Sequence, residues 1–135
     1  MIKVYLGCPY THADKRVVNY RVTMADMFAA YLMDQRDQHG DPKYSIFSPL
    51  SHSHRIARYT QGNQFDHNYW LAQDLPWLVD SDLFTIMQLN GWNKSFGLHI
   101  ETINAKEFNI PTETVSEHII LSCCSPIMAG RWRAK

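Results

Sequence analysis

No excess of charge, no cysteine framework and no long apolar run mark this sequence, and each absence removes a class of function. Thirteen Lys and Arg against thirteen Asp and Glu leave a formal net charge of zero. The field of the whole molecule therefore offers no attraction to the phosphate backbone of DNA or RNA, although a small charged ligand is compatible with it. The one basic cluster, Arg131, Arg133 and Lys135 beside Trp132, reads as a solvated tail. The three cysteines, Cys8, Cys123 and Cys124, are odd in number and lack C-x-x-C or Cys/His ligand spacing, so neither a disulfide scaffold nor a zinc site is signalled. No apolar stretch approaches the ~20 residues of a membrane span. The opening MIKVYLG lacks the charged and apolar regions of a secretory leader. The expectation is a cytoplasmic protein with no membrane or nucleic-acid partner, no metal and no cofactor.

What is present suits one packed core. The 135 residues are 45% hydrophobic, 13% aromatic and 19% charged, which is material for a single domain spanning 1–135. Ile2 to Gly7 reads as a buried strand ended by glycine and proline, and Lys15 to Gln38 repeats apolar residues at a near-helical period. Tyr44 to Phe47 is a second strand closed by Ser48-Pro49, followed by a polar loop from Leu50 to about Asn63. Phe65 to Val79 reads as a helix that Pro76 either kinks or restarts. Asp82 to Leu89 is a third strand, Asn90 to Lys94 a turn, Ser95 to Phe108 a third helix, and Ile110 to Val115 a weaker strand. Strands alternating with helices imply right-handed crossovers and a parallel sheet covered on both faces. The predicted fold class is a flavodoxin-like (Rossmann-like) three-layer α/β sandwich with four to five strands.

Sheets of this kind bind ligands beyond the carboxyl ends of their strands. That rule selects Gly7, Cys8, Pro9 and Tyr10 after the first strand, Ser48 to His54 after the second, and Asn90 to Gly97 after the third. Ser95 opens a helix whose free N–H groups attract an anion; its hydroxyl would then contact phosphate, or serve only as an N-cap. Gly97 lets a ligand approach the backbone, or is a packing residue. Glu101, flanked by Ile100 and Ile103, is either a solvated surface acid or a carboxylate used in the crevice. Asp74 is open to the same two readings, and as a pair the acids suit glycosidic chemistry, one at the anomeric carbon and one handling the leaving group's proton. His52 and His54 read as a polar rim, since no third ligand completes a metal set. Among the aromatics, Trp92 in its loop is favoured for stacking over Tyr69 and Trp70, whose helical spacing suits a core. Cys8 has no adjacent base to activate it, and Arg16 and Arg21 suit either phosphate or the helix surface.

Three segments in order, VYLGCPY, QDLPWLVDSD and SFGLHIETINA, resemble the nucleoside 2-deoxyribosyltransferase superfamily over roughly Ile2 to Pro111. The resemblance implies that Tyr5, with Gly7 following, orients the nucleophile. It implies that Asp74 of the Asp-Leu pair contacts the base and assists its protonation, and that Glu101, four residues after Gly97, attacks C1′ of the sugar. Where members acting on free nucleosides often carry aspartate, this chain has Ser95, and there it is closer to the nucleotide-hydrolysing branch, in which serine binds the 5′-phosphate. The exchange is physically sensible, because a carboxylate repels phosphate and a hydroxyl at a helix N-terminus attracts it. FSPLSHSHRIA and PYTHAD are similar to uncharacterised bacterial and phage members of the same superfamily.

The expected activity is cleavage of the N-glycosidic bond of a (2′-deoxy)nucleoside 5′-monophosphate, releasing base and sugar 5-phosphate. Exchange of bases by a deoxyribosyltransferase, a nucleotide sensor without turnover, and a flavodoxin-like interaction domain remain as alternatives. The segment after Pro111 does not register with the family pattern, and the resemblance implies a homodimer.

Overall fold

A computed structural model describes residues 1–62 and 66–130. The first strand, β1 (Ile2–Gly7), is followed by helix α1 (Lys15–Met33), strand β2 (Tyr44–Phe47) and the short helix α2 (Pro49–Ser53). Helix α3 (His67–Val79), strand β3 (Leu83–Gln88), helix α4 (Phe96–Glu107), strand β4 (Thr112–Ser116) and helix α5 (Glu117–Met128) complete the chain. Single 3-10 turns lie at Ile56–Arg58 and Trp92–Lys94.

The four strands form one sheet in the order β2-β1-β3-β4, and every pairing is parallel, with Tyr5 opposite Phe47 on one side and Phe84 on the other. This is the flavodoxin-like arrangement, in which successive connections leave β1 toward opposite edges and open a crevice between the ends of β1 and β3. Alternation along the strands sorts the core into two layers. Leu6, Cys8, Met87 and Leu89 face α1 and α5, where they meet Met24, Ala25, Phe28, Ile120 and Cys124. Tyr5, Phe84 and Ile86 face α3 and α4, where they meet Leu78, Leu98 and Ala105. The oddly numbered residues of β1 therefore point toward the helices that carry Asp74 and Glu101.

The chain departs from the expected elements at three places. Helix α1 stops at Met33 rather than Gln38; Asp37 then accepts from the amides of His39 and Asp41, closing a turn with Gly40 at φ 81°. The expected loop from Leu50 contains α2 and a 3-10 turn, because Ser48 caps the helix and Pro49 occupies its first turn, where a missing N–H costs nothing. The weaker strand expected at Ile110 to Val115 forms as β4, and the unregistered segment beyond it forms α5, capped by Ser116 and buried through Ile120 and Cys124, four residues apart. Pro126 lies inside that helix, and Pro76 lies inside α3 without ending it. The expected helix start at Phe65, the loop end at Asn63 and the basic cluster Arg131, Arg133 and Lys135 with Trp132 lie outside the described residues. Among the described residues no helix is long and apolar enough to cross a membrane.

Candidate active site

Two carboxylates enter the interior because each lies on the buried stripe of its helix. On α4 the inward positions are Leu98, Glu101 and Ala105, and on α3 they are Asp74 and Leu78. The start of α4 is set by Ser95, whose Oγ accepts from the Leu98 amide at 3.3 Å. Asp66 caps α3 by accepting from the Tyr69 amide at 3.1 Å. Each cap contributes about 1 kcal/mol and fixes the rotational phase at which the acid emerges.

Glu101 is 7% exposed and receives a hydrogen bond from the hydroxyl of Tyr5, which is itself fully buried. The Tyr5 ring is held between Phe47 and Phe84, each with its centroid 5.7 Å away. Burial pushes Glu101 up to about 8, the Tyr5 hydrogen bond opposes that rise, and the neighbouring Asp74 adds to it. Asp74, 9% exposed, is raised to about 7 by burial. Tyr5 rises well above its ordinary value, chiefly by burial and then through the negative field of Glu101. Desolvation with no nearby cation among the causes leaves a pair of acids that hold protons near neutrality and sense each other's charge.

Both acids line one cleft, together with Cys8, Tyr10, Leu50, His54, Trp70 and Gly97. It offers about 710 Å³ of open space, its mouth included. Its walls are apolar along Pro49, Leu50, Ala57 and Leu71, with polar groups at Tyr10, Ser53, His54 and His67. The hydroxyl of Tyr10 lies 2.9 Å from Nδ1 of His54, with the rings edge to face, so the loop after β1 is tied to the segment after α2. Gly97 forms part of the wall: a Cβ there would find only Ser95 Oγ, at 4.0 Å.

A second recess adjoins the cleft through Thr11, which lines both. Arg16, Arg21, Lys94 and Ser95 line it, with Asp14 and Glu117 as its acids. Arg16 is paired to Asp14 at 2.9 Å.

The expected site residues thus divide. Tyr5, Cys8, Tyr10, His54, Asp74, Gly97 and Glu101 come together at the cleft, Ser95 faces the adjoining recess, and the others serve the frame. Gly7 packs so closely that a Cβ would stand 2.5 Å from the Phe84 ring and 2.8 Å from Leu98. Pro9 is fully buried, and Ser48 caps α2. His52 is exposed beside the Phe47 ring, 5.6 Å between centroids. Trp92 packs against the core layer that contains Tyr5, whereas Trp70 lines the cleft. Cys8 donates to the carbonyl of Pro9 at 3.5 Å, and burial pushes its thiol far up, which suits a wall and not a nucleophile. Thr11 and His67 were not singled out by sequence, whereas Leu50 and Ser53 fall within the selected span Ser48 to His54, where Ser48-Pro49 marks a helix start rather than a loop. Among the described residues no three His, Cys, Asp or Glu side chains are placed to hold a metal ion.

The chain belongs to the family described as DUF1937, a domain of unknown function, whose model matches residues 2–117. No curated protein matches it.

Proposed function

We propose that this protein hydrolyses the N-glycosidic bond of a (2′-deoxy)nucleoside 5′-monophosphate, with Glu101 as the nucleophile. The observation that carries the reading is a buried glutamate, held by a buried tyrosine hydroxyl, in the same cleft as a second buried acid. In the first step a Glu101 carboxylate oxygen bonds to C1′ as the C1′–N bond breaks. The departing base keeps that bond's electron pair and takes a proton from Asp74. The transition state is oxocarbenium-like, so the charge developing on the sugar favours the ionised form of Glu101 in a medium that otherwise resists it. In the second step water attacks C1′, Asp74 accepts its proton, and the glycosyl ester of Glu101 is cleaved to sugar 5-phosphate and free carboxylate.

Tyr5 holds one carboxylate oxygen and so orients the other toward the sugar. Trp70 supplies an aromatic face for the base. The phosphate is assigned to the recess of Lys94 and Ser95, which shares Thr11 with the cleft. Ser95 uses a lone pair as helix cap and keeps its hydroxyl proton to donate.

The test is to incubate the protein with a panel of nucleoside 5′-monophosphates and the matching nucleosides and to follow free base by chromatography. Base release from a monophosphate, abolished in Glu101→Ala, supports the reading. Tight binding without release indicates a sensor, and base exchange between two substrates without net hydrolysis indicates a transferase.

A further inference from the structure

Arg21, on α1, is a buried cation with no carboxylate in ion-pair contact among the described residues. It is 6% exposed, and the ion pairs among the described residues are Lys3 with Asp80 and Arg16 with Asp14. A guanidinium removed from water is costly unless its charge and N–H groups are used. Arg21 spends them on backbone: Nη1 donates to the carbonyls of Thr11 at 3.0 Å and Tyr10 at 3.4 Å, and Nη2 donates to the carbonyl of Asn90 at 2.8 Å. The first two belong to the loop after β1 and the third to the loop after β3. A planar fork reaches both at once, which a single ammonium does not.

The surroundings are built to the same end. On its other side the Asn90 residue donates its amide to Glu117 Oε1 at 3.1 Å, so the loop is gripped from α1 and from α5. Gly91 has φ 86°, and a Cβ on it would stand 2.8 Å from Nη2 of Arg21, so this position needs glycine for its conformation and for the guanidinium's room. The Cys8 thiol reaches back to the carbonyl of Arg21 itself at 3.8 Å. Downstream of Gly91 the chain turns through Trp92–Lys94 into Ser95 and α4, and downstream of Cys8 it carries Tyr10 and Thr11 along the cleft wall.

We propose that Arg21 is a positioning residue of this site, a buried clamp that fixes the loop bearing Tyr10 against the loop that launches α4 and Glu101. The clamp itself is a property of the fold; its effect on turnover rests on the glycosidic reading above. It assigns Arg21 to geometry and not to substrate charge.

The experiment compares the whole protein with Arg21→Lys and Arg21→Met by hydrogen–deuterium exchange, then by kinetics. In the variants, amides of residues 8, 10–13 and 89–95 lose protection together, by about tenfold or more, while α5 and the strands keep theirs. With a nucleoside 5′-monophosphate, kcat falls about tenfold or more with KM nearly constant, and inorganic phosphate inhibits variant and parent equally. Added guanidinium restores part of kcat in Arg21→Ala, and urea at the same concentration does not. If Arg21→Met fails to fold, Arg21→Lys supplies the comparison. The proposal is overturned if a folded variant keeps native exchange in both loops, if protection falls uniformly over the chain, or if KM and phosphate inhibition shift while kcat holds. A parent protein that releases no base removes the glycosidic reading and leaves the exchange result to decide the clamp.

Discussion

The hydroxyl of Tyr5 donates to Oε2 of Glu101 across 96 positions of sequence, joining the central strand to the helix after β3. The bond lowers the glutamate against the stronger upward push of burial. Tyr5→Phe therefore raises Glu101 further and frees its rotation. We expect kcat to fall about 10- to 100-fold with KM little changed, and the falling limb of the pH profile, which Glu101 sets, to move upward. An unmoved limb in a folded variant would contradict the assigned role.

The proposed mechanism requires Glu101 ionised and Asp74 protonated, yet burial places Glu101 near 8 and Asp74 near 7. The productive form is then the minor one, with the proton on the group that holds it less tightly. A bell-shaped kcat/KM profile is expected, with limbs near 7 and 8 that belong to the pair. Asp74→Asn should convert the bell to a single rise and slow poor leaving groups more than good ones. A bell that survives this substitution assigns the second limb elsewhere.

Stability should show the same titration with a definite sign. Glu101 has an ordinary value of 4.5 and is held near 8 in the fold, so the native state binds its proton more tightly than the unfolded chain. That contribution is complete below about 4.5 and is lost as pH rises through about 8. Glu101→Gln removes this contribution and leaves that of Asp74. Its stability advantage over the parent should grow across this window, on the order of several kcal/mol at the upper end. Urea titrations at a series of pH values measure it, and parallel curves would refute the buried-acid assignment.

Two glycines should respond in opposite ways. Gly97→Ala adds a methyl where the protein itself leaves room, in the first turn of α4, so stability holds or rises by up to about 1 kcal/mol. The same methyl protrudes into the cleft wall, and KM should rise. Gly7→Ala instead drives a Cβ into Phe84 and Leu98 and should cost about 1–3 kcal/mol. Thermal melts beside KM measurements separate the two.

Trp70→Ala should raise KM about tenfold or more through loss of a stacking face, whereas Trp92→Ala should chiefly lower stability, since its ring belongs to the core layer of Tyr5. A larger KM effect at Trp92 would reverse the assignment.

Much of the fold was legible because periodicity is a local property. Ile2–Gly7 and Tyr44–Phe47 appear as strands with the expected limits, and Ser95 opens α4 as its side chain and position suggest. Glu101 and Asp74 were visible as acids, but their own helices left each open to a solvated reading. Burial decided between those readings: the carboxylates lie on inward stripes, so α3 and α4 can pack on one sheet face only with both acids inside. Trp70 and Trp92 illustrate the opposite limit, since a ring's role depends on which element covers it, and pattern alone favoured the loop residue. Helix α5 was unread because Pro126 and the adjacent Cys123 and Cys124 weaken its signal, while Ile120 and Cys124 are stabilised by packing against α1. Spacing along the chain is enough to phase each helix and strand. Which side chains meet, Tyr5 with Glu101 or Arg21 with Asn90, follows only when the sheet order brings distant segments together.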